Sequence, residues 1–173
     1  YACWRCPIGC GGILKPGTGN YKHSGGVSKP QYETLVAFGP LCLNDNLDSI
    51  VMANDICNRN GLDTISTGAA VAFAIECYEK GLITEKDTEG IKLGWGNHQA
   101  IIALTEKIAK REGLGDTLAD GVRIAARKIG KGAEEIAIHI HGQEVPMHDP
   151  KRARYMAAAY LDATPARHTQ GSW

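Results

Sequence analysis

The sequence is poor in aromatic residues, at 6%, and carries no excess of either charge: 19 Lys and Arg stand against 19 Asp and Glu. That balance excludes the electrostatic footprint of a nucleic-acid-binding protein or one held on an acidic membrane surface. No apolar run approaches the roughly 20 residues that span a bilayer. No Met opens the chain and the first cysteines arrive at once, so no targeting segment is expected, and the sequence reads as an internal piece of a longer protein. Six cysteines in 173 residues fall short of the density of a secreted disulfide scaffold. A reducing cytoplasm suits them better. What is present is a 43% hydrophobic chain, long enough for one domain or one and a fraction with a real core.

The stretch to about Pro40 is broken by Gly11-Gly12, Pro16-Gly17 and Gly25-Gly26 and is expected to be loop. Beyond it the texture becomes helical. Asn44 or Asp45 is placed to cap a helix through Leu47, Ile50, Val51 and Ile56 that Gly61 stops. A second helix is expected from about Ser66 to Lys80, with Gly68-Ala69-Ala70 small enough for a neighbour to pack very close. A third starts near Asn97, with an apolar stripe at Ile101, Ile102, Leu104 and Ile108. A fourth is expected from Thr117 to Ile129. Residues 136–142 alternate apolar and polar and form the one strand candidate, placing His139 and His141 on one face. A last helix opens at Asp149-Pro150 and runs through Tyr155, Met156 and Leu161. The fold class is therefore mainly α and multihelical, with a Gly/Pro-rich loop at the start. Residues 1–135 are expected to form one helical domain and 136–173 the start of a second.

Cys3-x-x-Cys6-x-x-x-Cys10 is the sharpest chemical signal. Three thiolates within eight residues of a Gly-flanked loop can wrap one metal centre, either an iron–sulfur cluster or zinc. The spacing lacks the two separated Cys-x-x-Cys hooks usual for zinc. A closed site needs four ligands, so the fourth must lie elsewhere. Cys42, Cys57 and Cys77 are scattered among apolar neighbours and read as packing residues.

The segment Tyr1-Ala2-Cys3-Trp4-Arg5-Cys6-Pro7-Ile8-Gly9-Cys10-Gly11 resembles the cluster-binding segment of the aldehyde ferredoxin oxidoreductase family. Further resemblances follow in the family's order: Gln31-Tyr32-Glu33-Thr34-Leu35, Asn58-Arg59-Asn60-Gly61-Leu62-Asp63, Glu112 to Gly121, Met147-His148-Asp149-Pro150, and Asp162 to His168. The family's pterin motif is Asp-x-x-Gly-Leu-Asp, and Asn58 stands here at its first acidic position. No Glu-x-x-His occurs, so the interface iron of some members is not expected.

The resemblance implies a [4Fe-4S] cluster held by Cys3, Cys6 and Cys10, and a tungsten- or molybdenum-bis-pterin contacted by Asn58, Gly61, Leu62 and Asp63. It also implies a small carbonyl substrate, electron transfer to ferredoxin, and N- and C-terminal parts of the same enzyme to complete the site. Under it, Glu33 handles a proton and His168 hydrogen-bonds an oxygen of the substrate or metal. A carboxylate such as Asp63 can accept both donors of a pterin edge. The plainer role for Asp63 is the cap of the following helix. The rival functions are a carboxylate or aromatic acyl-CoA reductase of the same family, and a non-catalytic iron–sulfur or zinc module.

Overall fold

A computed structural model describes residues 1–17, 19–23, 25–149, 151–152, 161 and 166–167. The described residues form six α-helices and contain no strand: α1 (Tyr32–Phe38), α2 (Leu47–Asn60), α3 (Thr64–Glu79), α4 (His98–Lys110), α5 (Leu114–Leu118) and α6 (Val122–Ile129). The mainly α expectation holds.

Helix α3 is the centre. It is apolar on nearly every side, and Val71, Phe73, Ala74, Ile75 and Cys77 are buried along it. A helix without a polar face has to be enclosed. Helix α1 packs on its first turns, while α2 lies against α4 and α4 against α5. The close approach of α1 depends on Gly68, where an added Cβ would lie 2.6 Å from Ala37 Cβ and 2.9 Å from the Ala37 backbone. Thr34 on α1 and Thr64 at the start of α3 exchange a hydroxyl hydrogen bond of 2.8 Å.

Helix α2 ends at Gly61, whose φ of 68° is the left-handed conformation that glycine adopts without a Cβ penalty. Its cap is Asn46, not Asn44 or Asp45: Asn46 Oδ1 accepts from Ser49 N. Asn44 is buried two positions earlier. Its amide donates to Phe38 O and Ser49 Oγ, and its Oδ1 accepts from Asn46 N, so it braces the cap from below. Asn97 caps α4 as expected.

Three expectations are corrected. The loop to Pro40 contains α1, a seven-residue helix too short to show a period in the sequence. The single helix expected from Thr117 to Ile129 is two, broken at 119–121. The break is held by buried Glu144, whose Oε1 accepts from Val122 N at 2.7 Å and caps α6 from 22 positions away. The strand expected at 136–142 does not form: 137–139 is irregular and 140–143 is a tight turn. Ile140 and Gln143 exchange both backbone hydrogen bonds, and His141 and Gly142 between them take φ of 53° and 102°. His139 and His141 therefore share no strand face. Ile136 and Ala137 pack against the same core as α3. The last helix expected through Tyr155 and Met156 lies outside the described residues.

Replacing Gly68 by Ala is expected to destabilise the protein by about 1–3 kcal/mol, because overpacking against the Ala37 backbone outweighs the ~1 kcal/mol gain in helix propensity. Urea denaturation measures it; an unchanged or raised midpoint would mean that α1 does not depend on the glycine.

Candidate active site

The cysteine loop closes on itself. Tyr1 N donates to Gly11 O and Gly11 N to Tyr1 O, each at 3.0 Å. The Tyr1 ring lies over Gly11, where a Cβ would come within 2.6 Å of it. Tyr1 Oη and Ser28 Oγ share a 3.0 Å hydrogen bond, and Lys29 Nζ donates to Cys10 O at 2.8 Å. Residues 12–14 pair with 26–29, and buried Asn54 on α2 holds Ser28 O at 2.9 Å. A loop without helix or strand is thus fastened to the helical core through Ser28 and Lys29.

Cys3 and Cys10 are exposed and Cys6 is half-buried, and all three are free thiols. In kind, the donor set fits a thiolate-held centre. No group of three or more His, Cys, Asp or Glu among the described residues is arranged to hold a metal ion, so the three thiols do not form a site by themselves. Cys42, Cys57 and Cys77 are buried in the helices. Burial pushes the thiols of Cys42 and Cys57 up to about 12 and that of Cys77 to about 11.

Beside the loop's anchor lies a cleft of about 300 Å³, lined by Tyr1, Lys29, Glu33, Asn58 and Asp63 among others. It brings Glu33, from α1, together with Asn58, from the last turn of α2, and Asp63, the cap of α3. Gly61 and Leu62 line a smaller neighbouring pocket that also includes Asp63. Asp63 caps α3, its Oδ1 accepting from Ser66 N at 2.8 Å, so the plainer of its two expected roles is realised. The same oxygen accepts from Arg167 Nη2 at 3.0 Å, and Asp63 still faces the cleft at its side. Asp55, nearby but out of the motif's register, is paired with Arg59 at 2.7 Å. His168 lies outside the described residues.

Glu33 is the most enclosed carboxylate of the cleft, with 15% of its side chain exposed. Its Oε2 accepts from Met147 N at 2.8 Å, 114 positions along the chain, and its Oε1 lies 2.8 Å from His148 Nε2. Tyr32 Oη donates to Met147 O at 3.0 Å, and the Tyr32 ring stacks on the His148 ring at 4.8 Å between centroids. Adjacent residues of α1 thus grip adjacent residues of the 147–148 segment. Reasoning from sequence gave His148, Arg167 and Lys29 no role in the site. The motif Met147-His148-Asp149-Pro150 was the signal for His148; nothing local marks Lys29, whose partner lies 19 positions away.

The chain matches, over residues 1–173, the family described as aldehyde ferredoxin oxidoreductase, domains 2 and 3. It is 40% identical over 160 residues to a tungsten-containing aldehyde ferredoxin oxidoreductase of Pyrococcus furiosus, and 39% identical over 160 residues to one of Thermococcus kodakarensis. Each alignment covers 91% of this chain, which spans about a quarter of those relatives' length, 25% in each case. Among solved structures it resembles the active-site complex of benzoyl coenzyme A reductase bound to 1,5-dienoyl-CoA, with a TM-score of 0.75 and 27% identity. That likeness covers 95% of this chain and 24% of the other.

A thiol reagent applied at pH 8 to the folded, metal-free protein is expected to label Cys3, Cys6 and Cys10 and to spare Cys42, Cys57 and Cys77 until the protein unfolds. The thiolate is the reactive form, and the raised values leave the buried three almost wholly protonated. Mass spectrometry of the labelled peptides reads the result, and early labelling of Cys57 would contradict the packing described for α2.

Proposed function

The chain belongs to the aldehyde ferredoxin oxidoreductase family, and from that premise we propose that it forms part of an enzyme oxidising aldehydes or related carbonyls to acids. The observation that supports this most is the convergence of Glu33, Asn58 and Asp63 on one cleft beside the cysteine loop. Three separate chain segments meeting at one concave site is how active sites are commonly built.

In this reading Cys3, Cys6 and Cys10 hold a [4Fe-4S] cluster and Asn58, Gly61, Leu62 and Asp63 contact a tungsten- or molybdenum-bis-pterin, with further ligands from other parts of the enzyme. When bound, these groups supply the two-electron chemistry at carbon and the one-electron exit to ferredoxin. The chain's own residues supply position and protons. Asp63 is fixed by the Ser66 amide and the Arg167 guanidinium, both bonded through Oδ1. A carboxylate has roughly four lone-pair sites, so capacity remains for the donors of a pterin edge. Glu33, fixed by the Met147 amide at Oε2 and with His148 Nε2 2.8 Å from Oε1, takes the proton released as the carbonyl carbon is oxidised. His168 donates a hydrogen bond to the substrate carbonyl oxygen.

The likeness to the benzoyl coenzyme A reductase complex favours a second reading, reduction of an aromatic acyl-CoA by the same residues. Assaying the full-length enzyme with aldehydes and with acyl-CoA thioesters separates the two.

In the full-length enzyme, Glu33→Gln and His168→Asn are each expected to lower turnover by about 10²- to 10⁴-fold, the usual worth of a positioned acid or base, while tungsten and iron contents hold. Two fully active variants would sink the catalytic assignment. For the cluster, Cys3→Ala is expected to reduce the iron bound per chain and Cys77→Ala to leave it unchanged; the reverse pattern would overturn the ligand set.

A further inference from the structure

We infer that His148 is the proton partner of Glu33, carrying protons between the polar cleft and an apolar pocket on the other side of the pair. This rests on the reading of Glu33 as the proton-handling group. The carboxylate and the imidazole stand at hydrogen-bond distance, Oε1 to Nε2 at 2.8 Å, with 15% and 25% of their side chains exposed. Glu33 lines the cleft it shares with Asn58 and Asp63. His148 lines a different cavity of about 340 Å³, walled largely by Ala72, Phe73, Trp95, Ile136 and Ile138. The pair is therefore the contact between the two spaces.

Oε1 of Glu33 is buried, so a proton on that oxygen leaves most directly through the imidazole 2.8 Å away. His148 is able to pass it on because imidazole has two nitrogens. A proton on Glu33 Oε1 passes to Nε2 while the proton on Nδ1 leaves to water, so the imidazole ends neutral and the carboxylate ends charged. The reverse sequence delivers a proton to Glu33. No oxidant or further group is required.

The geometry around the pair keeps this path in place. Met147 N–H holds Oε2, which fixes the carboxylate plane. The Tyr32 ring lies tilted at 32° on the imidazole, and Tyr32 Oη ties down Met147 O, which fixes the ring of His148 from both sides of its peptide. The charged and titratable groups that face the pair are Tyr32 on α1, Asp149 next in the chain, Glu76 from α3 across the apolar pocket, and Lys29 and Asp63 across the cleft. Asp149 and Glu76 are acidic groups lining the pocket into which a proton would leave. His148 acts through Glu33, so it is a positioning and proton-passing residue.

The test is His148→Gln in the full-length enzyme. Glutamine keeps a donor for Glu33 but cannot titrate. Turnover is expected to fall about 10²-fold with KM, tungsten and iron unchanged, and the shape of the kcat pH profile to change. His148→Ala is expected to fall similarly and to recover in part when imidazole is added, entering through the apolar pocket. A His148→Gln enzyme with the turnover and pH profile of the parent would overturn the inference, and so would a loaded His148→Ala enzyme that imidazole does not rescue. Should either variant fail to load its metals, rates of the unaltered enzyme in mixtures of light and heavy water decide: a curved dependence, from two protons moving together, supports the relay, and a linear one defeats it. An inactive Glu33→Gln alongside an unaffected His148→Gln leaves the Glu33 reading standing and removes only this one.

Discussion

Because helix α3 is apolar on nearly all sides, its neighbours are obliged to cover it, and where they can come closest decides where the site forms. Gly68 sets that point. It admits α1 to backbone contact near the N-terminus of α3, where the Thr34–Thr64 hydrogen bond sets the register. Glu33 precedes Thr34 and Asp63 precedes Thr64, so one glycine and one hydroxyl pair bring the two carboxylates to the same cleft. Every other feature of the site is fastened to this corner: Asn54 on α2 carries the cysteine loop by way of Ser28, and Arg167 reaches Asp63 from the far end of the described chain.

Several polar interactions at this corner bridge long stretches of sequence. Glu33 binds the 147–148 segment, Glu144 caps α6, and Arg167 Nη1 holds Glu144 O at 2.8 Å while its other amine nitrogen holds Asp63. A buried donor or acceptor left without its partner costs about 1–3 kcal/mol, so these bonds specify where segments lie more than they add to net stability. The 143–149 segment has no helix or strand to define it. Its position comes from Glu33, Tyr32 and Arg167 pulling on its backbone and side chains at three points.

What the sequence revealed of the fold follows from how local each signal is. Helices α2, α3 and α4 were legible because their caps and apolar stripes lie within one or two turns, as Gly61 and Asn97 show. The break between α5 and α6 was not, since the residue that enforces it, Glu144, is 22 positions away. Alternation at 136–142 suggested a strand, but no partner segment exists for it among the described residues, and His141-Gly142 turns back instead. Of the site, Glu33 and Asp63 were found through motifs. The grip of Tyr32 and Glu33 on Met147 and His148 was invisible, because a contact over 114 positions leaves no trace in spacing.

The two carboxylates of the cleft differ in the partners they were given, and under the proposed function that difference suits them to different work. Asp63 is bonded by a backbone amide and a guanidinium, and neither gives up its proton under ordinary conditions. A group so held is a fixed acceptor, suited to orienting a donor-bearing ligand and unsuited to exchange. Glu33 has one amide partner to fix its plane and one imidazole partner, and imidazole can give or take a proton at either nitrogen. In the proposed relay Glu33 combines a held geometry with an outlet. Exchanging their surroundings would exchange their roles more readily than exchanging Asp for Glu, since both carry the same chemical group and the neighbours alone distinguish anchor from proton carrier.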